Sequence, residues 1–167
     1  MPEKTCKFDF TSFGYSVIDV ANFFLAIEKH EIQEQITHLK LQKLVYYSQG
    51  ASLAFYKKTL FNEEIQAWLH GPVCPKLYEF FGYKNDFLDL KGTDKEKVLS
   101  LFSKNKNVEK ILMDLWRAFG SYSGSRLENM THQETTWLDA IRHGKSTVIT
   151  PEAMYNYFVQ FLPEENL

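Results

Sequence analysis

The sequence predicts a mainly α, compact single-domain helical fold with a small extended element near residues 64–74. Three observations predict it. Apolar residues recur at helical spacing behind recognisable cap residues in most segments. One short run, "EIQAWLHGPVC", breaks that rhythm between polar and Gly-Pro signals. The chain has 167 residues, 44% hydrophobic and 16% aromatic, so it can build one real core.

Residues 1–14 read as an arm. Phe8, Phe10 and Phe13 want burial, so the arm is expected to dock rather than hang free. Ser16, with Asp19 three residues on, opens a first helix carrying Val17, Val20, Ala21, Phe24 and Ile27. Thr37 caps a second, longer helix over about 38–56, with Leu41, Leu44, Val45, Ser48 and Ser52 along one side. Gly50 sits inside that helix, where it costs about 1 kcal/mol against Ala, so close backbone packing is expected there.

Residues 57–62 read as a turn and "EIQAWL" as a brief strand. Gly71-Pro72 is a turn signal that ends the strand, and Pro75 suits the first position of a helix running to about Phe81. Thr93 with Glu96 resembles a capping box, and Val98, Leu99 and Phe102 give its helix an apolar side. Asn107 is expected to start the next helix, with Ile111, Leu112, Leu115, Trp116 and Phe119 on one face and Gly120 as its end. "RLENMTHQETTWLDAIRHG" divides near Thr131 into two short helical pieces. Thr150-Pro151-Glu152 combines a cap, a first-turn proline and a first-turn acid before a last helix.

Charge excludes some functions. The formal charge is −2 and the pI near 6.2, and the lysines of 91–110 alternate with Asp94, Glu96 and Glu109. That is a solvated, self-paired face, and no helix is basic enough to read DNA, so direct nucleic-acid binding is not expected. The N-terminus lacks a signal-peptide apolar stretch, and no run approaches the ~18 apolar residues of a membrane span. Cys6 and Cys74 form no disulfide framework. A soluble cytoplasmic protein is expected.

His70 and Cys74 raise the question of chemistry. They stand four apart, but Gly71-Pro72 between them breaks the helix a metal pair would need, so no metal or cofactor is expected. Cys74 reads as a thiolate at a helix start or as a small buried core residue. His132-Gln133-Glu134 with Pro72-Val73-Cys74 resembles deaminase zinc blocks only faintly, with a cysteine missing and the order reversed. A structural role is expected for His132 and Glu134, tying two segments together. A small enzyme with a His/Cys/Glu site is the alternative reading. It requires His70, Cys74, His132 and Glu134 to converge in a pocket.

"THLKLQKLVYYSQGASLAFYKKTLFNEEIQAWLHGPVCPKLYEFF" resembles the signature of the Panacea, or SocA-like, antitoxin domain. The shared pattern is a Lys-Leu-Gln-Lys-Leu core, then tyrosines, a glycine, Ala-Trp and Gly-Pro-Val. "LENMTHQETTWLDA" is similar to the family's second block and "ITPEAMYNYF" to its closing helix, in the expected order over residues 15–162. One departure stands out: the family usually has proline before the second tryptophan, where this chain has Thr136 before Trp137.

The resemblance implies a domain over 15–167 that acts as the antitoxin of a bacterial or phage toxin–antitoxin system, not as an enzyme. Its partner would be a cognate protein toxin, neutralised by direct contact, with delivery to a protease or chaperone as a further family trait. Toxin-binding or site-organising residues are expected at Lys40, Gln42, Lys43, Tyr46, Trp68, His70, His132 and Glu134. Gly71, Pro72 and Pro75 are expected to form a structural corner. Lys40, Gln42 and Lys43 are placed on polar sides of the long helix, as an ordinary solvated face or as a partner surface.

Overall fold

The structure, a computed structural model, describes residues 9–31 and 35–164. Cys6, Phe8 and most of the expected arm lie outside the described residues. The order is β1 (Thr11–Ser12), α1 (Val17–Glu31), α2 (His38–Tyr56), β2 (Lys58–Thr59), β3 (Ile65–Trp68), β4 (Gly71–Val73), α3 (Pro75–Phe81) and α4 (Lys95–Ser103). Then come α5 (Lys106–Phe119), α6 (Gly124–Thr131), α7 (Thr135–Arg142), β5 (Thr147–Ile149), α8 (Pro151–Phe158) and a 3-10 turn at Val159–Phe161. The fold is mainly α with a small sheet whose hairpin, β3–β4, lies in the expected extended stretch, while its third strand, β5, comes from residues 147–149, which the sequence pattern did not mark.

Most helices begin where side-chain chemistry starts them. Ser16 Oγ accepts from Asp19 N–H at 3.0 Å and Thr37 Oγ1 from Lys40 N–H at 3.2 Å. Thr150 Oγ1 accepts from Ala153 N–H at 3.1 Å, ahead of Pro151. Each bond satisfies one of the donors that a helix start leaves orphaned. Two starts differ from expectation. Asp94, not Thr93, caps α4, its carboxylate accepting from Lys97 N–H, because a carboxylate outcompetes the neighbouring hydroxyl for that donor. Asn105, not Asn107, caps α5, its Oδ1 accepting from Asn107 and Val108 N–H.

α2 is the central element. It packs on α1, α5, α6, α8, β2 and β4. Of its 19 residues, 15 are buried, polar ones included. Leu41, Leu44, Val45 and Leu53 fill the core with Phe23 and Phe24 of α1, Leu112 of α5 and Leu127 of α6. Gly50 is required by that packing: a Cβ there would sit 2.3 Å from the Phe158 ring of α8. The expected close approach is therefore present, and it joins the central helix to the last one.

The burial of α2 overturns one expectation. Lys40, Gln42 and Lys43 do not lie on a solvated face; their relative exposures are 3%, 1% and 0%. Helices and strands pack around α2 so closely that between His38 and Ala54 only Leu39 and Ala51 are not buried, and water reaches it mainly at Phe55 and Tyr56. Such a helix is normally apolar all round. Here its polar groups must find partners inside the protein or cost the full desolvation penalty.

The sheet has the order β4-β3-β5, antiparallel throughout. Gly71-Pro72 is not the turn that the dipeptide suggested. It belongs to β4, and Leu69-His70 make the turn, since Trp68 pairs with Gly71 and Ala67 with Pro72. Proline is tolerated because β4 is an edge strand. β1 and β2, paired in parallel, and β5 are too short for any alternation to show in sequence.

Candidate functional site

The β3–β4 hairpin is held by side chains from three helices. From α2, Lys43 Nζ donates to Pro72 O at 3.0 Å. Gln42 acts as a strand edge would: its Oε1 accepts from Cys74 N–H at 2.8 Å and its Nε2 donates to Cys74 O at 3.2 Å. That closes the strand and hands the chain to Pro75, the first residue of α3. From α7, Trp137 Nε1–H donates to Trp68 O at 2.8 Å. From the end of α6, His132 Nε2 pairs with Leu69 O at 3.1 Å, and Glu128 Oε1 lies 2.7 Å from His70 Nδ1.

Gly71 lets these groups converge. Its φ is +99°, a region that side chains resist. A Cβ there would meet Thr131 Oγ1 at 2.7 Å and Lys43 Cε at 2.9 Å. Gly71 and Pro72 lie in β4 and Pro75 opens α3, while Leu69 and His70 make the turn.

A second polar cluster braces the first. Glu134, 7% exposed, accepts from Tyr46 Oη–H at 2.9 Å and Tyr47 Oη–H at 2.7 Å, and Tyr46 Oη lies 2.6 Å from Thr136 Oγ1. Burial raises the Glu134 carboxyl above its usual range, while the two phenol donors pull it back. Glu134 is also the N-cap residue of α7, but its carboxylate serves the tyrosines instead of the cap. Thr136, where the family resemblance expects proline, supplies the hydroxyl partner of Tyr46, and α7 begins without a proline at Thr135.

Buried charge is handled the same way. Burial lowers the Lys43 ammonium from 10.5 to about 7, with Glu128 opposing that shift. His38 stacks on Tyr78 at 4.1 Å and lies 3.1 Å from Gln42 Nε2; burial pushes it down to about 4. Burial raises the Cys74 thiol to about 11, which makes it a core cysteine rather than a thiolate.

The structure therefore brings Gln42, Lys43 and His132 onto the hairpin that carries Trp68 and His70, while Tyr46 and Glu134 meet each other in a separate buried cluster. Lys40 is elsewhere: its Nζ donates to Gly120 O at the end of α5 and lies 5.5 Å from the Trp116 ring. The convergence that an enzyme reading needs is not assembled. Cys74 is buried with its backbone paired to Gln42 and Glu134 is held by tyrosines, while His70 and His132 flank Glu128. Among the described residues, no three His, Cys, Asp or Glu side chains are grouped to hold a metal.

What the clamp leaves outside is apolar and aromatic. Leu69 at the hairpin tip is 59% exposed and the neighbouring His70 side chain 77%. Trp68, half-buried, stacks on Tyr78 at 5.3 Å and 4°, and Tyr78 stacks on exposed Tyr83 at 5.5 Å and 8°. On the other flank His132 stacks on Trp137 at 4.3 Å. Sequence reasoning missed Tyr47, Glu128, Thr131 and Tyr78 as members of the site. Glu128 stands one helical turn before His132, a spacing that could have flagged it.

The family described as "Antitoxin SocA-like, Panacea domain" matches residues 41–138, more than half of the chain. The chain belongs to this family. In this Panacea domain the matched segment runs from α2 into α7, so it contains the hairpin and the side chains that clamp it. In this chain the clamp lies within the matched segment. The chain is also similar to a protein named Antitoxin SocA from Caulobacter vibrioides (strain NA1000 / CB15N), 28% identical over 122 residues. That alignment covers 67% of this chain and 63% of the relative, less than two thirds of the relative's length. No solved structure matches the chain. Among the described residues, no helix is long and apolar enough to cross a membrane.

Proposed function

We propose that this protein is the antitoxin of a toxin–antitoxin pair and neutralises its toxin in the cytoplasm by direct protein contact through the hairpin face. The observation that carries this reading is the clamped hairpin tip: Leu69 stands exposed on a backbone held by Trp137, His132 and Lys43. A rigid apolar tip beside a ladder of aromatic rings is what an interface anchor needs, because little entropy remains to be lost on binding. The roles of the buried residues follow. Gln42, Lys43, Tyr46, His132 and Glu134 organise the face, while Trp68, Leu69, His70 and Tyr83 meet the partner. Family membership and the similarity to a protein named as an antitoxin support the same reading. Delivery of the toxin to a protease or chaperone rests on the family resemblance alone.

Co-expression tests it. The product of the adjacent reading frame should arrest growth alone, and this protein should restore growth and co-elute with that product. A harmless neighbour, or growth restored with no complex, would defeat the reading.

A further inference from the structure

Two histidines flank one carboxylate at the hairpin tip, and their hydrogen bonds fix opposite tautomers. His70 Nδ1 lies 2.7 Å from Glu128 Oε1. A carboxylate only accepts, so Nδ1 carries the proton. His132 Nε2 lies 3.1 Å from Leu69 O. A carbonyl also only accepts, so in His132 the proton is on Nε2. The neutral His70 ring is left with an unprotonated Nε2, a lone pair without a partner among the described residues.

Glu128 is placed to hold this arrangement. Its side chain is 17% exposed, against 77% for His70. It stands on α6 one turn before His132, whose Nε2 is 3.9 Å from the same oxygen. α6 is in turn packed on α2 and β4. His70 is thus tied to the fold at one nitrogen and keeps the other for the exterior, beside exposed Leu69. In its neutral form a histidine held this way can only accept at Nε2. A partner N–H or O–H placed there gains a hydrogen bond, whereas a partner carbonyl or carboxylate meets a lone pair and is left unpaired. Without Glu128 the ring could take either tautomer, and that discrimination would be lost.

We infer that Glu128 is a positioning residue which sets the His70 tautomer, and that His70 Nε2 is the acceptor by which the hairpin tip selects an N–H or O–H donor on the toxin. This rests on the proposed use of the hairpin face for binding. The tautomer is tested without any toxin, on the free full chain labelled with ¹⁵N-histidine. Ring-nitrogen shifts separate protonated from unprotonated nitrogens, and His70→Phe supplies the assignment. His70 should be the Nδ1–H tautomer and His132 the Nε2–H tautomer. Glu128→Gln, whose amide donates as well as accepts, should turn His70 into a mixture.

The selection is tested by titration calorimetry against the purified product of the adjacent reading frame, with each fold verified by its melt. Glu128→Gln should bind about threefold more weakly or worse, and His70→Phe about fivefold or worse, the range of one uncharged hydrogen bond. His70→Gln, whose side-chain oxygen can accept in place of Nε2, should recover part of the loss. Protonation turns Nε2 into a donor. Parent affinity should therefore fall as pH drops through the His70 titration seen in the ring shifts, and His70→Phe should lack that step. Glu128 and His132, and Lys43 behind Glu128, are present in both proteins, so the difference between the two profiles isolates His70. An Nε2–H tautomer at His70, an unchanged tautomer in Glu128→Gln, unchanged affinity in either folded variant, or the same pH profile for the parent and His70→Phe would overturn the inference, while binding by the parent upheld the antitoxin reading. A parent that does not bind the neighbouring product would defeat that reading, and the inference with it.

Discussion

The ammonium of Lys43 occupies the space that a side chain on Gly71 would take: a Cβ built on Gly71 falls 3.0 Å from Lys43 Nζ. One residue has no side chain so that the other can reach Pro72 O behind it. Gly71→Ala should therefore be almost as damaging as Gly71→Val. Both carry a Cβ into Thr131 and Lys43, and both must hold φ near +99°. The backbone strain alone is about 1–3 kcal/mol. Thermal melts with tryptophan fluorescence as a second probe check this, since Trp68 and Trp137 are joined through the hairpin. A Gly71→Ala protein that melts like the parent would show that the corner yields easily.

Lys43 should also write itself into the pH dependence of stability. Its folded pKa is about 7 against 10.5 when free. Between those values the unfolded chain holds the proton and the folded chain does not, so stability rises with pH through that window. The penalty of burial is fully present below about pH 7. Lys43→Met should flatten the rise between neutral pH and the onset of Cys74 titration. The measurement is the melting temperature of both proteins across that range. Parallel curves would mean that Lys43 does not titrate there.

His38 acts at the acid end. Its folded pKa is about 4 against 6.5 when free, so the unfolded chain takes up the proton first as pH falls between them. Stability from His38 is complete above pH 6.5 and is lost on the way down to about 4. His38→Phe keeps an aromatic ring on Tyr78 and should be less sensitive to acid than the parent over that span. Urea midpoints at several pH values decide it.

Glu134 and its tyrosines should behave as one unit. Glu134→Ala leaves two buried phenols without their acceptor and should cost about 2–4 kcal/mol, more than Tyr47→Phe at about 1–2 kcal/mol. The double variant should cost less than the sum, because the second change removes a group already stranded. A strictly additive double-mutant cycle would mean the contacts are independent.

Much of this fold could be read from the chain. Thr37, Ser16 and Thr150 announce their helices because a short hydroxyl before an apolar repeat has few other uses. Gly50 signalled close packing for the same kind of reason: a mid-helix glycine needs compensation, and Phe158 supplies it. The site was legible as a set of residues but not as an arrangement. Lys40, Gln42 and Lys43 look like a solvated face, since polar residues in a helix usually face water and only tertiary crowding reverses that. Gly71-Pro72 looks like a turn because its dipeptide signal is local, whereas the pairing with β3 is not. Tyr47 gave no sign, because its partner is 87 residues away, and Glu128 showed only its spacing from His132, not its pairing with His70 58 residues away.

The central claim is that the hairpin tip binds the toxin and the clamp beneath only positions it. The direct measurement is titration calorimetry of the purified toxin against the parent, Leu69→Asp, Tyr83→Asp and Cys74→Ala, with each fold verified by its melt. Leu69→Asp puts a charge on an exposed anchor, and it should weaken binding by about 2 kcal/mol or more, roughly thirtyfold, without lowering the melting temperature. Tyr83→Asp should weaken it by a smaller factor, and Cys74→Ala, where folded, should bind like the parent, since Cys74 is buried in the core. Undiminished affinity in a folded Leu69→Asp protein would contradict the account and move the interface to another face.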